Sequence, residues 1–162
     1  MTTRVYVPSS WAGLRDLVAA DGIGPAPFLA HAVTDELRAD FPEGGEEEWE
    51  YAAAAAASRS SLSLIRDVDP ARRAVVAVDV ETFSLPDMED PTVVEVQEVV
   101  PFRRIAAVLV DLDDASIDVR AAAERFADAV DGDPEAEALV ETALDHELAW
   151  YAAQEIGDLL VQ

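Results

Sequence analysis

The chain has 162 residues, with 34 Asp or Glu against 11 Lys or Arg, a formal net charge of −23 at pH 7. Every basic residue is arginine, and there is no lysine, asparagine or cysteine. These absences exclude a disulfide framework, thiolate chemistry, Cys-ligated metal, a Walker-type phosphate loop and a lysine Schiff base. In chain order, Arg4 to Val7 reads as a short strand ended by Pro8, which cannot extend a central ladder. Ser9 or Ser10 is placed to cap a helix reaching about Ala20, with Trp11, Leu14, Leu17 and Val18 on one side. Gly22 is placed to close that helix in the left-handed conformation. Gly24-Pro25-Ala26-Pro27 is a turn, Phe28 to Val33 a second strand, and Thr34 the cap of a short helix to Asp40.

The acidic run Glu43 to Glu48 suits the positive end of a helix dipole. A long helix is predicted from Trp49 to about Arg66, its six consecutive alanines giving high propensity. Tyr51, Ala55, Ser58, Leu62 and Ile65 form the stripe expected to pack on a neighbouring element. Arg73 to Val80 and Thr92 to Val100 read as strands, and the nearly apolar Ile105 to Leu112 as a strand covered on both faces. A helix follows from Asp113 or Asp114 to about Val130. Asp133-Pro134 restarts the chain as N-cap and N1 of a last helix running to near Leu160. This order predicts a single globular α+β domain over residues 1–162: a mixed sheet of about five strands with helices packed over it and a long, central C-terminal helix.

Hydrophobic residues make up 51% of the chain, which argues against disorder despite the charge. A field this negative disfavours nucleic acid and anionic membrane surfaces as partners and suits a basic protein. The N-terminus shows no signal-peptide pattern, so a cytoplasmic location is expected. The Ala, Arg, Asp and Val bias fits a GC-rich genome.

Asp111-Leu112-Asp113 at a strand end is how haloacid-dehalogenase-type phosphotransferases present two carboxylates, but the lysine that chemistry needs does not exist here. Asp111, Asp113, Asp114 and Asp118 are hard oxygen donors that lack the calcium-loop Gly and closing Glu. No metal and no cofactor are predicted. On the last predicted helix, Glu147 and Gln154 fall near the middle of a face with Val140, Leu144, Trp150 and Tyr151, and His146 sits at its edge. A carboxylate on such a face is costly to bury unless paired. Two readings are open: a pocket of Glu147, His146, Tyr151 and Gln154, or a Glu147 paired with Arg15, Arg59 or Arg104. His146-Glu147 begins like a zinc-protease helix, but Trp150 stands where the second His ligand belongs. His31 joins the candidate pocket only if folding brings it near His146 and Glu147. There is no Gly-x-Ser-x-Gly elbow, and Gly22-Ile23-Gly24 is a turn rather than a dinucleotide loop.

Arg4 to Pro8, Ala30 to Thr34, Glu50 to Ala53, Val75 to Val80 and His146 to Ile156 together resemble an uncharacterised family of small acidic actinobacterial proteins, a domain of unknown function. The resemblance covers most of the chain and implies a bacterial cytoplasmic setting but no activity. The leading expectation is therefore a non-enzymatic protein that acts by binding another protein. The alternatives are a small-ligand binder or hydrolase-like enzyme using the carboxylate and His pocket, and an acidic mimic of nucleic acid.

Overall fold

Valine-rich runs form the sheet of this computed structural model, which describes residues 1–161. The strands are β1 (Thr3–Ser10), β2 (Gly22–Ile23), β3 (Phe28–Ala32), β4 (Arg73–Val80), β5 (Phe83–Ser84), β6 (Val93–Val96), β7 (Val100–Pro101), β8 (Ile105–Val110) and β9 (Ala149–Ala152). The helices are α1 (Trp11–Ala20), α2 (Asp35–Asp40), α3 (Glu46–Ser61), α4 (Ser116–Glu124), α5 (Phe126–Val130), α6 (Pro134–Leu144) and α7 (Ile156–Leu160). Seven strands pair in the order β5-β6-β3-β1-β4-β8-β9, and β2 pairs with β7 in a separate ribbon. Every neighbouring pair is antiparallel. The expected mixed sheet of about five strands is thus a seven-stranded antiparallel one. The two added strands, β5 and β9, lie at its edges and are too short to show a clear alternation. Gly22-Ile23, expected as a turn, is strand β2.

Side chains alternate across the sheet. Val5, Val7, Val76, Val78, Val108 and Val110 point to one face and bury against Trp11, Leu14 and Leu17 of α1 and Ile156 and Leu159 of α7. The Ser10 hydroxyl accepts from Gly13 N at 3.0 Å and caps α1 as expected. The left-handed residue that closes α1 is Asp21 (φ 57°), not Gly22.

On the opposite face, α3 lies over β1, β3 and β4. It seats on Ala53, Ala57, Ser58 and Ser61, all buried. Small side chains let its backbone approach the sheet closely. The seated face is rotated from the predicted stripe: Tyr51 is exposed, Ala55 is exposed, and α3 stops at Ser61 rather than near Arg66. Leu62 and Ile65 instead enter a second cluster with Val119, Ala122, Ala136 and Val140 of α4 and α6.

The predicted C-terminal helix is not continuous. The Asp133 carboxylate accepts from Glu135 N at 2.9 Å and starts α6 where expected, but α6 ends at Leu144. The chain then runs as β9 along β8, with Leu109 opposite Trp150 and Val108 opposite Tyr151, before the single-turn α7. Without β9, the outer edge of β8 would carry unpaired backbone groups, so tertiary pairing overrides a local sequence that favours helix. No helix is long and apolar enough to cross a membrane among the described residues.

Candidate functional site

The acid buried with an arginine is Asp111, not Glu147. Asp111 Oδ1 accepts from Arg73 NH2 at 2.8 Å, and its Oδ2 accepts from Arg73 Nε at 2.9 Å and from Arg73 backbone N at 2.7 Å. The remaining guanidinium donors reach Ser58 Oγ and the His146 carbonyl, each at 2.9 Å. The strand-end acid that resembled a phosphotransferase nucleophile is consumed by this network. The other acids of that segment scatter: Asp118 faces His146 Nε2 at 2.7 Å, and Asp113 lies 3.6 Å from Arg72. No group of three or more His, Asp or Glu side chains could hold a metal among the described residues.

The Arg73 bond to the His146 carbonyl holds the α6–β9 connection against the end of α3. It places His146 and Glu147 on the wall of a trough. α3 packs mainly on the β3-β1-β4 part of its sheet face, so β8 and β9 present Leu109 and Trp150 beyond the helix edge, with the buried Ala107 at the floor. Two depressions of about 240 and 310 Å³ share Tyr51, Ala54 and Leu109 and together make the trough. β8 is therefore not covered on both faces as its apolar sequence suggested. Tyr51 is 68% exposed and Trp150 is 64% exposed. Glu147 lines one depression, and Glu47, Glu50, Arg4 and Tyr6 line the other. Burial raises the Tyr6 phenol, with Glu50 adding to the rise. Two of the arginines expected beside Glu147 are engaged elsewhere. Arg104 pairs with Glu98 at 2.7 Å, and Arg59 lies over the Phe126 ring at 5.1 Å.

The other predicted site residues separate. Tyr151 points through β9 to the opposite face and packs against the main core. Gln154 is exposed in the turn after β9. His31 lines a different groove, of about 580 Å³, bounded by Phe28, Leu29, Leu64 and Met88. Its Nδ1 lies 2.7 Å from Thr92 Oγ1 and its Nε2 3.0 Å from Ser60 Oγ. Thr92 Oγ1 in turn donates to Asp90 Oδ1 at 2.7 Å. Burial lowers the His31 pKa, opposed by the Asp90 charge, whose Oδ2 lies 3.8 Å from Nδ1.

Sequence reasoning missed Tyr51 as a trough residue, and Ser60, Thr92 and Asp90 as partners of His31. Asp90-Pro91-Thr92 carries a local signal, since an Asp side chain often binds the backbone two residues on; here Asp90 Oδ1 accepts from Thr92 N at 2.9 Å. Nothing local announces that this turn meets His31. That depends on β3 pairing with β6, which sets His31 opposite Val93.

No curated protein and no solved structure matches the chain. Residues 3–160, which carry both the trough and the His31 groove, match a family of unknown function (DUF6912), and the chain belongs to that family.

Proposed function

We propose that this protein acts by binding another protein, and that its trough receives an extended segment carrying arginine or lysine together with apolar side chains. The observation that carries this reading is Trp150, a large aromatic side chain standing 64% exposed on a part of the sheet that α3 leaves open. Exposed apolar surface with a polar border marks binding sites, and Trp and Tyr dominate binding energy where they occur. Glu47, Glu50 and Glu147 supply the complementary charge, and the net charge of −23 steers a basic partner toward the molecule. β9 is an edge of the sheet, so its outer backbone groups offer a template for an added strand. The setting we propose is the cytoplasm of a GC-rich, actinobacterial cell, supported by the arginine-only, cysteine-free composition.

The test is selection of a displayed random-peptide library on the intact protein, followed by titration of the enriched peptides. Expected are peptides rich in Arg or Lys with interspersed aromatic or aliphatic residues. Their affinity falls at least tenfold for Trp150→Ala or for the Glu47→Gln, Glu50→Gln double variant, and weakens with salt. Peptides that bind both variants as tightly as the parent protein would refute the trough as the docking site.

A further inference from the structure

The groove beside β3 is separate from the trough and holds a directed chain of four polar side chains, so its chemistry stands independently of the protein-binding reading. The direction of that chain comes from counting protons. Asp90 is acceptor-only when ionised, so the single Thr92 hydroxyl proton is committed to Asp90 Oδ1 at 2.7 Å. Thr92 Oγ1 can then only accept from His31, so Nδ1 carries the imidazole proton across the 2.7 Å contact. Nε2 is left with a lone pair, and Ser60 Oγ, 3.0 Å away, is its donor. Burial holds the ring neutral at neutral pH, as a base must be. The hydroxyl thus faces a correctly oriented imidazole whose far nitrogen is fixed by a hydroxyl and a carboxylate, the logic of an activated nucleophile.

We infer that this groove is an acyl-transfer site: Ser60 is the nucleophile, His31 its general base, and Thr92 and Asp90 position the imidazole. The substrate class is set by the walls. Phe28, Leu29, Leu64 and Met88 suit an apolar acyl chain, and Asp90 on the border disfavours an anionic substrate. An uncharged ester meets both conditions. Ser60 Oγ bonds to the ester carbonyl carbon while its proton passes to His31 Nε2. The carbon–alkoxy bond then breaks, and the alcohol leaves with that proton. Water attacks the acyl-serine with His31 again as base, and the acid product and the free Ser60 hydroxyl are restored. Ser60 lies in the last turn of α3, where orphan carbonyls rather than N–H groups collect. Support for a developing oxyanion is therefore weak, and the reaction is slow and favours activated esters.

The test incubates the intact protein with p-nitrophenyl butyrate, following nitrophenolate release and locating the adduct by peptide mass. The expected result is one butyryl group on Ser60, with release about 100-fold slower in Ser60→Ala and in His31→Gln, the scale of a lost general base. The titratable neighbours of His31 are Asp90 and, from the adjoining strand β1, Tyr6. The rate rises with pH through a midpoint below the ordinary imidazole range. Asp90→Asn, which removes the acceptor-only charge that directs the chain, slows formation of the Ser60 adduct and moves that midpoint lower. No adduct on Ser60 in the parent protein, or equal release by Ser60→Ala, overturns the proposal. An unmoved midpoint in Asp90→Asn overturns the positioning role of Asp90.

Discussion

Arg73 and Asp111 meet as a two-pronged pair with both side chains fully buried, where the start of β4 faces the end of β8. The same guanidinium reaches Ser58 on α3 and the carbonyl of His146, so one residue joins the sheet, the helix above it and the connection into β9. All of its charge-assisted bonds sit where water cannot replace them, which makes removal of either partner far more damaging than removal of both.

Asp111→Ala is therefore expected to cost about 3–5 kcal/mol, because it strands a buried guanidinium. The double variant Arg73→Met, Asp111→Leu should cost less than either single substitution alone, because the buried charge leaves together with its partner. Urea denaturation midpoints of the two single variants and the double variant check this. Equal costs for the single and double variants would show that lost packing, not the stranded charge, dominates.

The seat of α3 can be tested by lengthening two alanines. Ala57 is fully buried against the sheet, and Ala55 is exposed on the trough wall. Ala57→Leu should destabilise the fold by about 1–3 kcal/mol through overpacking. Ala55→Leu should leave the thermal midpoint nearly unchanged while weakening any peptide bound in the trough.

His31 ties stability to pH. Its folded-state pKa is lowered by burial, so below the ordinary imidazole value of 6.5 the unfolded chain binds more protons than the folded one. The stability associated with neutral His31 is fully present above that value and declines as pH falls below it toward the lowered folded pKa. The urea midpoint of the parent protein should drop between pH 7.5 and pH 5.5, and the drop should be smaller in His31→Gln. An identical drop in both would assign the pH dependence to other groups.

Trp150→Ala should change stability by no more than about 0.5 kcal/mol, as for an exposed surface residue. Retention of the parent urea midpoint alongside loss of peptide binding would separate recognition from folding at this position. A large loss of stability would instead make Trp150 part of the core.

Local chemistry was legible wherever it depended on neighbours in sequence. Ser10, Thr34 and Asp133 cap their helices because a side-chain oxygen accepts backbone N–H groups two or three residues on. The Arg73–Val80 strand and the Gly24–Pro27 turn followed from valine density and proline, with no reference to the rest of the molecule. The α+β class came from the order of such segments. Tertiary structure decided the rest because pairing and burial belong to two segments at once. The stretch from Asp145 to Ala152 has a helical composition, yet it leaves the helix and ends in the edge strand Ala149–Ala152, because β8 needs a hydrogen-bonding neighbour. That single change turns Tyr151 into the core, leaves Trp150 in the open and moves Glu147 off a buried face. Likewise, which acid is buried with an arginine, and which serine meets His31, depend on contacts 38 and 29 residues apart along the chain. A periodicity within one segment holds no information about such distant partners.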